Sequence, residues 1–290
     1  MAIASPQEAA EVEAFIPLLA GRRVVALTGA GISTDSGIPD YRGPDSPPRN
    51  PMTYQQFVGD AEFRQRYWAR NHIGWRQMDA ARPNPGHRAL ARLERVGVVT
   101  GLITQNVDLL HTKAGSRRVI DLHGTYAQVR CLGCQSHMSR MTLAERLEAA
   151  NPGFADAATA TGIEVAPDAD AVIADTARFR MVDCEHCGGL LKPDIVYFGE
   201  NVPKDRVATA YDLVDNADAL LVAGSSLTVM SGLRFVRRAA TNGIPILIVN
   251  RGATRGDALA TRRLDAGCSS VMTRIADQLE AIAHIAQPAH

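Results

Sequence analysis

Five cysteines, one histidine and a short glycine-rich turn carry most of the chemistry that this 290-residue sequence offers. Cys131-x-x-Cys134 and Cys184-x-x-Cys187 are two knuckles of thiol ligands, with Gly133 and Gly188 available for the tight turns. Two such pairs close a tetrahedral Zn²⁺ site with all four positions filled, which makes the metal structural and not catalytic. The rival readings are a redox dithiol or separately buried cysteines. The 49 residues between the pairs exceed the usual spacing of roughly 15–20, so a loop must be extruded there. His137 and His186 lie close by and read as solvated bystanders. His123 ends the apolar run Val119-Ile-Asp-Leu; its unperturbed pKa near neutrality suits a general base, and a hydrogen-bonded structural histidine fits equally. Gly29-Ala30-Gly31 follows another apolar run in the pattern G-x-G-x5-G. Glycines after a strand let the backbone approach a pyrophosphate, and a following helix offers free N–H groups. The spacing is not G-x-G-x-x-G, so the dehydrogenase fingerprint is unmet, and a plain tight turn competes with a nucleotide site.

The elements that must position these groups alternate. Strands are predicted at 23–28, 98–104, 119–122, 219–223 and 246–250, each short, rich in Val, Ile and Leu, and bounded by Gly, Asn, Asp or Pro. Parallel strands buried on both faces read this way. Between them lie helical patterns, clearest where Asn84 serves as N-cap, Pro85 as first helical residue and Gly97 as terminator. The expectation is a doubly wound α/β domain, in which ligands bind outside the carboxyl ends of the strands. Four strand ends carry small or hydrogen-bonding residues: Gly29-Ala-Gly31, Gln105-Asn106-Val-Asp108, Gly224-Ser225-Ser226 and Asn250-Arg251-Gly252. Residues 44–82, a proline-rich loop and an aromatic, arginine-rich helix, and 124–190, with both cysteine pairs and a loop over 151–170, break the rhythm. We therefore expect a discontinuous Rossmann-like domain (1–43, 83–123 and 191–290) and a smaller zinc-binding domain from two insertions (44–82 and 124–190).

Composition limits the function classes. With 46% apolar residues the chain is globular, not disordered. Thirty-one basic and 31 acidic side chains cancel, which argues against nucleic-acid partners held through their phosphates. The positive charge is nearly all arginine, since the lysines are only Lys113, Lys192 and Lys204. No signal peptide, transit peptide or membrane span is expected, and the cysteine pattern suits a reducing compartment; a cytoplasmic protein follows as the expectation.

The motifs taken in order closely resemble the sirtuins, the NAD-dependent protein lysine deacylases: GAGISTDSGIPDYRG (29–43), TQNVDLLH (104–111), LHG (122–124), the four cysteines, LKPDIVYFGE (191–200), GSS (224–226) and Asn250. They span about residues 21–275. IPDYRG, RYWARNHIGW (66–75), HTKAGSRR (111–118) and the long loop between cysteine pairs resemble the class II branch, particularly its mitochondrial sirtuin-four type. Tyr41 departs from a frequent phenylalanine, and Ser231 from a frequent proline.

The resemblance implies a mechanism and roles for residues. NAD, the cosubstrate, would rest its pyrophosphate on Gly29, Ala30, Gly31 and Ser33, with Gly224, Ser225 and Ser226 contributing. Asn250 and Arg251 would hold the adenosine half, near the Cys268 backbone. Gln105, Asn106 and Asp108, with Ile38 and Asp40, would line the nicotinamide pocket, and Tyr41 and Arg42 would cover the ribose. The acyl-lysine oxygen would attack the ribose carbon as nicotinamide leaves. His123, assisted by Asn106 and Asp108, would then deprotonate a ribose hydroxyl, giving free lysine and 2′-O-acyl-ADP-ribose. Phe198, Gly199 and Glu200, opposite Leu227 and Val229, would clamp an acyl-lysine peptide as an added strand. Tyr67 and Arg70 share a helix face at i and i+3, like the pair that reads carboxylated acyl groups in some class II sirtuins; a solvated or core-facing helix surface is the alternative. A mono-ADP-ribosyltransferase would use the same pocket. A non-enzymatic NAD or ADP-ribose sensor would have no need of His123, Asn106 and Asp108.

Overall fold

A computed structural model describes residues 6–44, 46, 50–159 and 176–286. Its strands are β1 (Val24–Thr28), β2 (Val99–Thr104), β3 (Val119–Asp121), β4 (Gly124–Cys131), β5 (His137–Ser139), β6 (Leu191–Ile195), β7 (Ala219–Ala223), β8 (Ile246–Val249) and β9 (Arg262–Leu264). Six of them form a parallel sheet in the order β3-β2-β1-β7-β8-β9. The remaining three form an antiparallel sheet in the order β5-β4-β6. All five predicted strands are present. The edge strand β9 was missed because it is only three residues long and two of them are arginines.

Successive side chains of a strand point to opposite faces, and both faces here are covered. Val24 and Ala26 pack with Phe15, Leu90, Leu93, Val271, Ile275 and Leu279. Val25 and Leu27 join Val214, Leu233, Phe235 and Val236 on the other side. The helix Pro85–Arg95 begins as predicted, with Asn84 Oδ1 accepting from the Gly86 and His87 N–H groups (2.9 and 3.3 Å). It ends before Gly97, whose φ of 77° is left-handed and suits glycine. Its buried face, with Leu90 and Leu93, rests on the helix Cys268–Ala286.

The small lobe has an aromatic core of its own, in which Phe57, Tyr67, Trp68, Trp75, Tyr126, Phe179 and Tyr197 surround Cys131 and Cys184. Two expectations need correction here. The strand β6 was grouped with the large domain, yet it pairs with β4 in the small sheet, so its residues bury their apolar side against the small lobe. The loop read over 151–170 contains a helix, Phe154–Thr159, because Phe154 packs on Phe179; residues 160–170 lie outside the described residues. No helix of the described residues is long and apolar enough to cross a membrane.

The two sheets meet at one histidine. The chain leaves β3, passes Leu122 and His123, and enters β4 at Gly124. Gly124 has φ 83°, and a Cβ there would lie 1.9 Å from the Asp194 carbonyl oxygen. Only glycine lets the chain turn from one sheet into the other while β6 runs this close.

Candidate functional site

Register places the chemistry-bearing loops side by side. Thr28 pairs with Thr104 and with Ala223, and Ala223 with Val249, so the next residues Gly29, Gln105, Gly224 and Asn250 emerge at one edge. Backbone bonds lace them together: Gln105 N–H donates to the Thr28 carbonyl (3.0 Å), Gly31 N–H to Gly224 (2.8 Å) and Gly224 N–H to Val249 (2.9 Å). Gly224 has φ 66°, and a Cβ there would sit 2.2 Å from the Ile32 nitrogen. The glycines of the first and seventh strand ends thus let two backbones touch. No α-helix starts behind Gly31, contrary to expectation; two 3₁₀ turns, Ala30–Ile32 and Thr34–Ser36, fill that stretch.

Above this edge opens a cleft of about 690 Å³. Its wall includes Gly29, Ala30, Gly31, Ile38, Asp40, Tyr41, Arg42, Gln105, Asn106, Asp108 and His123. Gly224, Ser225, Ser226, Asn250, Arg251 and Cys268 continue it, and Phe198, Gly199, Glu200, Leu227 and Val229 close the far side. The volume and lining suit a dinucleotide, with backbone and amide groups over the strand ends and apolar groups where Phe198 and Tyr41 meet edge-on at 6.1 Å.

Three predicted residues do not line the cleft. Ser33 is fully buried and works from behind: its Oγ donates to Asp108 Oδ2 (2.7 Å) and accepts from Asn106 Nδ2 (3.1 Å). Tyr67 is 1% exposed, packed against Phe57, Trp68 and Tyr197, and Arg70 is also absent from the wall. Helical spacing did place the two on one element, but the aromatic core turned Tyr67 inward.

Polar groups in the cleft are held firmly. Burial raises the Asp108 carboxyl pKa, while the Leu110 N–H (2.9 Å) and Ser33 hydroxyl oppose the shift. Asn106 Nδ2 also donates to the Gly29 carbonyl (3.1 Å), and Gln105 Nε2 to Ser225 Oγ (2.8 Å). Asp40 gathers its own loop by accepting from the Arg42 and Gly43 N–H groups and the Ser46 hydroxyl. Asn250 Nδ2 donates to the carbonyls of Arg251 and Gly252. Leu109 and Leu227 carry positive φ (59° and 54°), local strain of the kind that collects at functional sites. Cys268 is buried, its thiol pKa pushed up to about 12 by burial, so it offers no nucleophilic thiolate.

His123 is the group best placed to move a proton. Its Nδ1–H donates to the Gln105 carbonyl (2.9 Å), leaving Nε2 as the acceptor, 2.8 Å from Ser231 Oγ. Burial pushes its pKa down to about 4, and Arg206 and Arg234 add to that against the Gln105 bond. The imidazole is therefore neutral at neutral pH. Sequence reasoning missed Lys192, buried in β6, whose Nζ lies 2.9 Å from Glu200 Oε2 and over the Tyr197 ring. That pair anchors the 197–200 turn; the motif LKPDIVYFGE contained it, but nothing in the spacing said that the lysine turns inward.

The four cysteines come together as predicted, with their sulfurs all within 4.8 Å of one another. Cys131–Cys187 and Cys134–Cys184 are 3.5 and 3.7 Å apart. A tetrahedron of Zn–S bonds of ~2.3 Å has edges of about 3.8 Å, so the site fits zinc. The Gly133 and Cys134 N–H groups point at Cys131 Sγ (3.3 and 3.5 Å), which favours a thiolate. Gly188 has left-handed φ, as does Gln135; Gly133 serves otherwise, since a Cβ there would lie 3.3 Å from Cys187 Sγ. His137 and His186 are exposed and outside the cluster.

The Sir2 family profile matches residues 29–231. A Mycobacterium avium protein named NAD-dependent protein deacetylase 1 is 69% identical over 271 residues, covering 93% of this chain and 96% of that one. The bovine NAD-dependent protein lipoamidase sirtuin-4, mitochondrial, is 45% identical over 277 residues, covering 93% and 86%. A solved structure described as Sir2 with a p53 peptide and NAD⁺ superposes with a TM-score of 0.75 at 32% identity, covering 93% of this chain and 99% of that one. The profile covers more than half of the chain, the relatives and solved structures nearly all of it, and this protein belongs to the Sir2 family, the sirtuins, a family of NAD-dependent enzymes.

Proposed function

We propose that the protein is an NAD-dependent protein lysine deacylase whose products are nicotinamide, deacylated lysine and 2′-O-acyl-ADP-ribose. The observation that carries this reading is the neutral His123, its Nε2 facing the cleft beside the amide and carboxylate of Asn106 and Asp108. NAD supplies the electrophilic ribose carbon and the hydroxyl that receives the acyl group. Gly29–Gly31 and Gly224–Ser226 bind it, with Asn250, Arg251 and the Cys268 backbone at the adenosine end. Asn106 and Asp108, fixed by Ser33, orient the nicotinamide end, and Tyr41 and Phe198 exclude water. His123 Nε2 accepts the proton of the ribose hydroxyl. The acyl-lysine peptide lies between Phe198–Glu200 and Leu227–Val229, and main-chain bonds give it affinity with little sequence demand.

The test is mass spectrometry of reactions containing NAD and a panel of acyl-lysine peptides. O-acyl-ADP-ribose together with the deacylated peptide supports deacylation; mass gain on protein without it indicates ADP-ribosyl transfer. His123→Ala is expected to lose ~10²- to 10⁴-fold in turnover with NAD binding retained; turnover within a few-fold of wild type would assign the base elsewhere. A finer reading, preference for carboxylated acyl groups through Arg70, has one support, the contact between Tyr67 and the cleft residue Tyr197. Comparing kcat/KM for acetyl, glutaryl and lipoyl peptides with wild type and Arg70→Met decides it.

A further inference from the structure

Ser231 stands where the sequence departs from a frequent proline, and the fold brings its hydroxyl to the one free nitrogen of His123. Because the Gln105 carbonyl takes the Nδ1 proton, Nε2 of the neutral ring has a lone pair and no hydrogen. The 2.8 Å contact with Ser231 Oγ is therefore a hydroxyl donating to the nitrogen. Ser231 is the second residue of the helix Met230–Thr241, which starts directly after the cleft residue Val229. The next residue is a glycine whose Cβ, if present, would lie 2.5 Å from Gln105 Oε1. The first turn of this helix is thus pressed against the same strand end that holds the imidazole, and the hydroxyl is placed by a rigid element.

We propose that Ser231 is a positioning residue for the general base: its hydroxyl holds the His123 ring and the Nε2 lone pair in line until a substrate hydroxyl takes over that contact. The proposal rests on His123 being the base. A hydroxyl serves both protonation states. It donates to Nε2 while the ring is neutral. When the substrate O–H bond breaks and the N–H bond forms, the electron pair stays on the substrate oxygen. The new Nε2–H then donates to Ser231 Oγ, whose own proton only rotates. Proline at this position offers neither contact. The charged groups facing His123 are Arg206, itself 4.0 Å from Asp194, and Arg234. Both disfavour the imidazolium, whereas Ser231, accepting from the new Nε2–H in a charge-assisted bond stronger than the neutral one, favours it, so loss of that hydroxyl lowers the His123 pKa.

The test uses the full zinc-loaded chain with Ser231→Ala and Ser231→Thr. The His123 imidazole is titrated by nitrogen NMR, its signal assigned by difference with His123→Gln. Alanine at this position is expected to move the titration to lower pH and lower kcat by about 3- to 10-fold, the worth of one neutral hydrogen bond, with KM for NAD within about twofold. Threonine, which keeps the hydroxyl, is expected to restore both. An unchanged titration and kcat in the alanine variant, or a threonine variant no better than alanine, overturns the role of Ser231. Full turnover by His123→Gln would instead overturn the assignment of the base, so the two failures are distinguishable.

Discussion

Removing the metal from the four-cysteine cluster should disable catalysis by loosening the chain around His123. Cys131 ends β4, the strand whose first residue, Gly124, follows His123 directly. β4 is also zipped to β6, and the Val196 N–H beyond β6 donates to the His123 carbonyl at 2.7 Å. Both strands that leave the base therefore run towards the knuckles. Structural zinc sites supply an apparent ~10–16 kcal/mol, against roughly 5–15 kcal/mol for the stability of a whole domain. The aromatic core of the small lobe, which buries Phe57, Tyr67, Trp68 and Phe179, offsets part of that loss but leaves Cys134 and Cys187 exposed at the rim. Cys131→Ala is expected to lower the melting temperature and the soluble yield, and to cost most of the turnover. Cys268→Ala is the control that removes a buried thiol outside the cluster. Elemental analysis should find one zinc per chain, and a strong chelator should reproduce the Cys131→Ala phenotype. Active wild-type protein with well under one zinc per chain, or Cys131→Ala with wild-type melting and turnover, would refute this account.

Ser33→Ala removes a donor from the buried Asp108 carboxylate, whose pKa burial already raises. The pKa should rise further, so the acid limb of the kcat/KM profile moves to higher pH; a superimposable profile would exclude Ser33 from the network. Gly224→Ala puts a Cβ 2.2 Å from the Ile32 nitrogen at a φ of 66°. NAD binding by calorimetry should be lost or weakened ~10-fold or more, and the melting temperature should fall as well, since the clash is with buried backbone at a left-handed position; wild-type affinity would show that the two loops do not need to touch.

The sequence by itself determined the parts whose signal is local. Continuous Val, Ile and Leu runs identified every long strand of the parallel sheet, because a strand covered on both faces has no polar side to show. Asn84, Pro85 and Gly97 marked one helix from end to end, since caps act within a turn of the residues that carry them. The paired cysteines identified their site through ligand type and short spacing. The ordered motifs named the family and pointed to the strand ends above which the cleft opens. Tertiary structure decided everything that depends on which way a side chain faces or which distant strand it meets. It moved β6 into the small sheet by pairing with β4, and it turned Ser33 behind the cleft to brace Asp108. Tyr67 went into an aromatic core that no spacing rule foresees. Lys192 was drawn inward onto Glu200. The contact between His123 and Ser231, 108 residues apart, exists only because the strand end after β3 and a helix start after β7 converge on Gln105. Local propensity constrains neighbours in the chain, whereas a hydrogen bond across the cleft is fixed by the packing of elements that the chain brings together last.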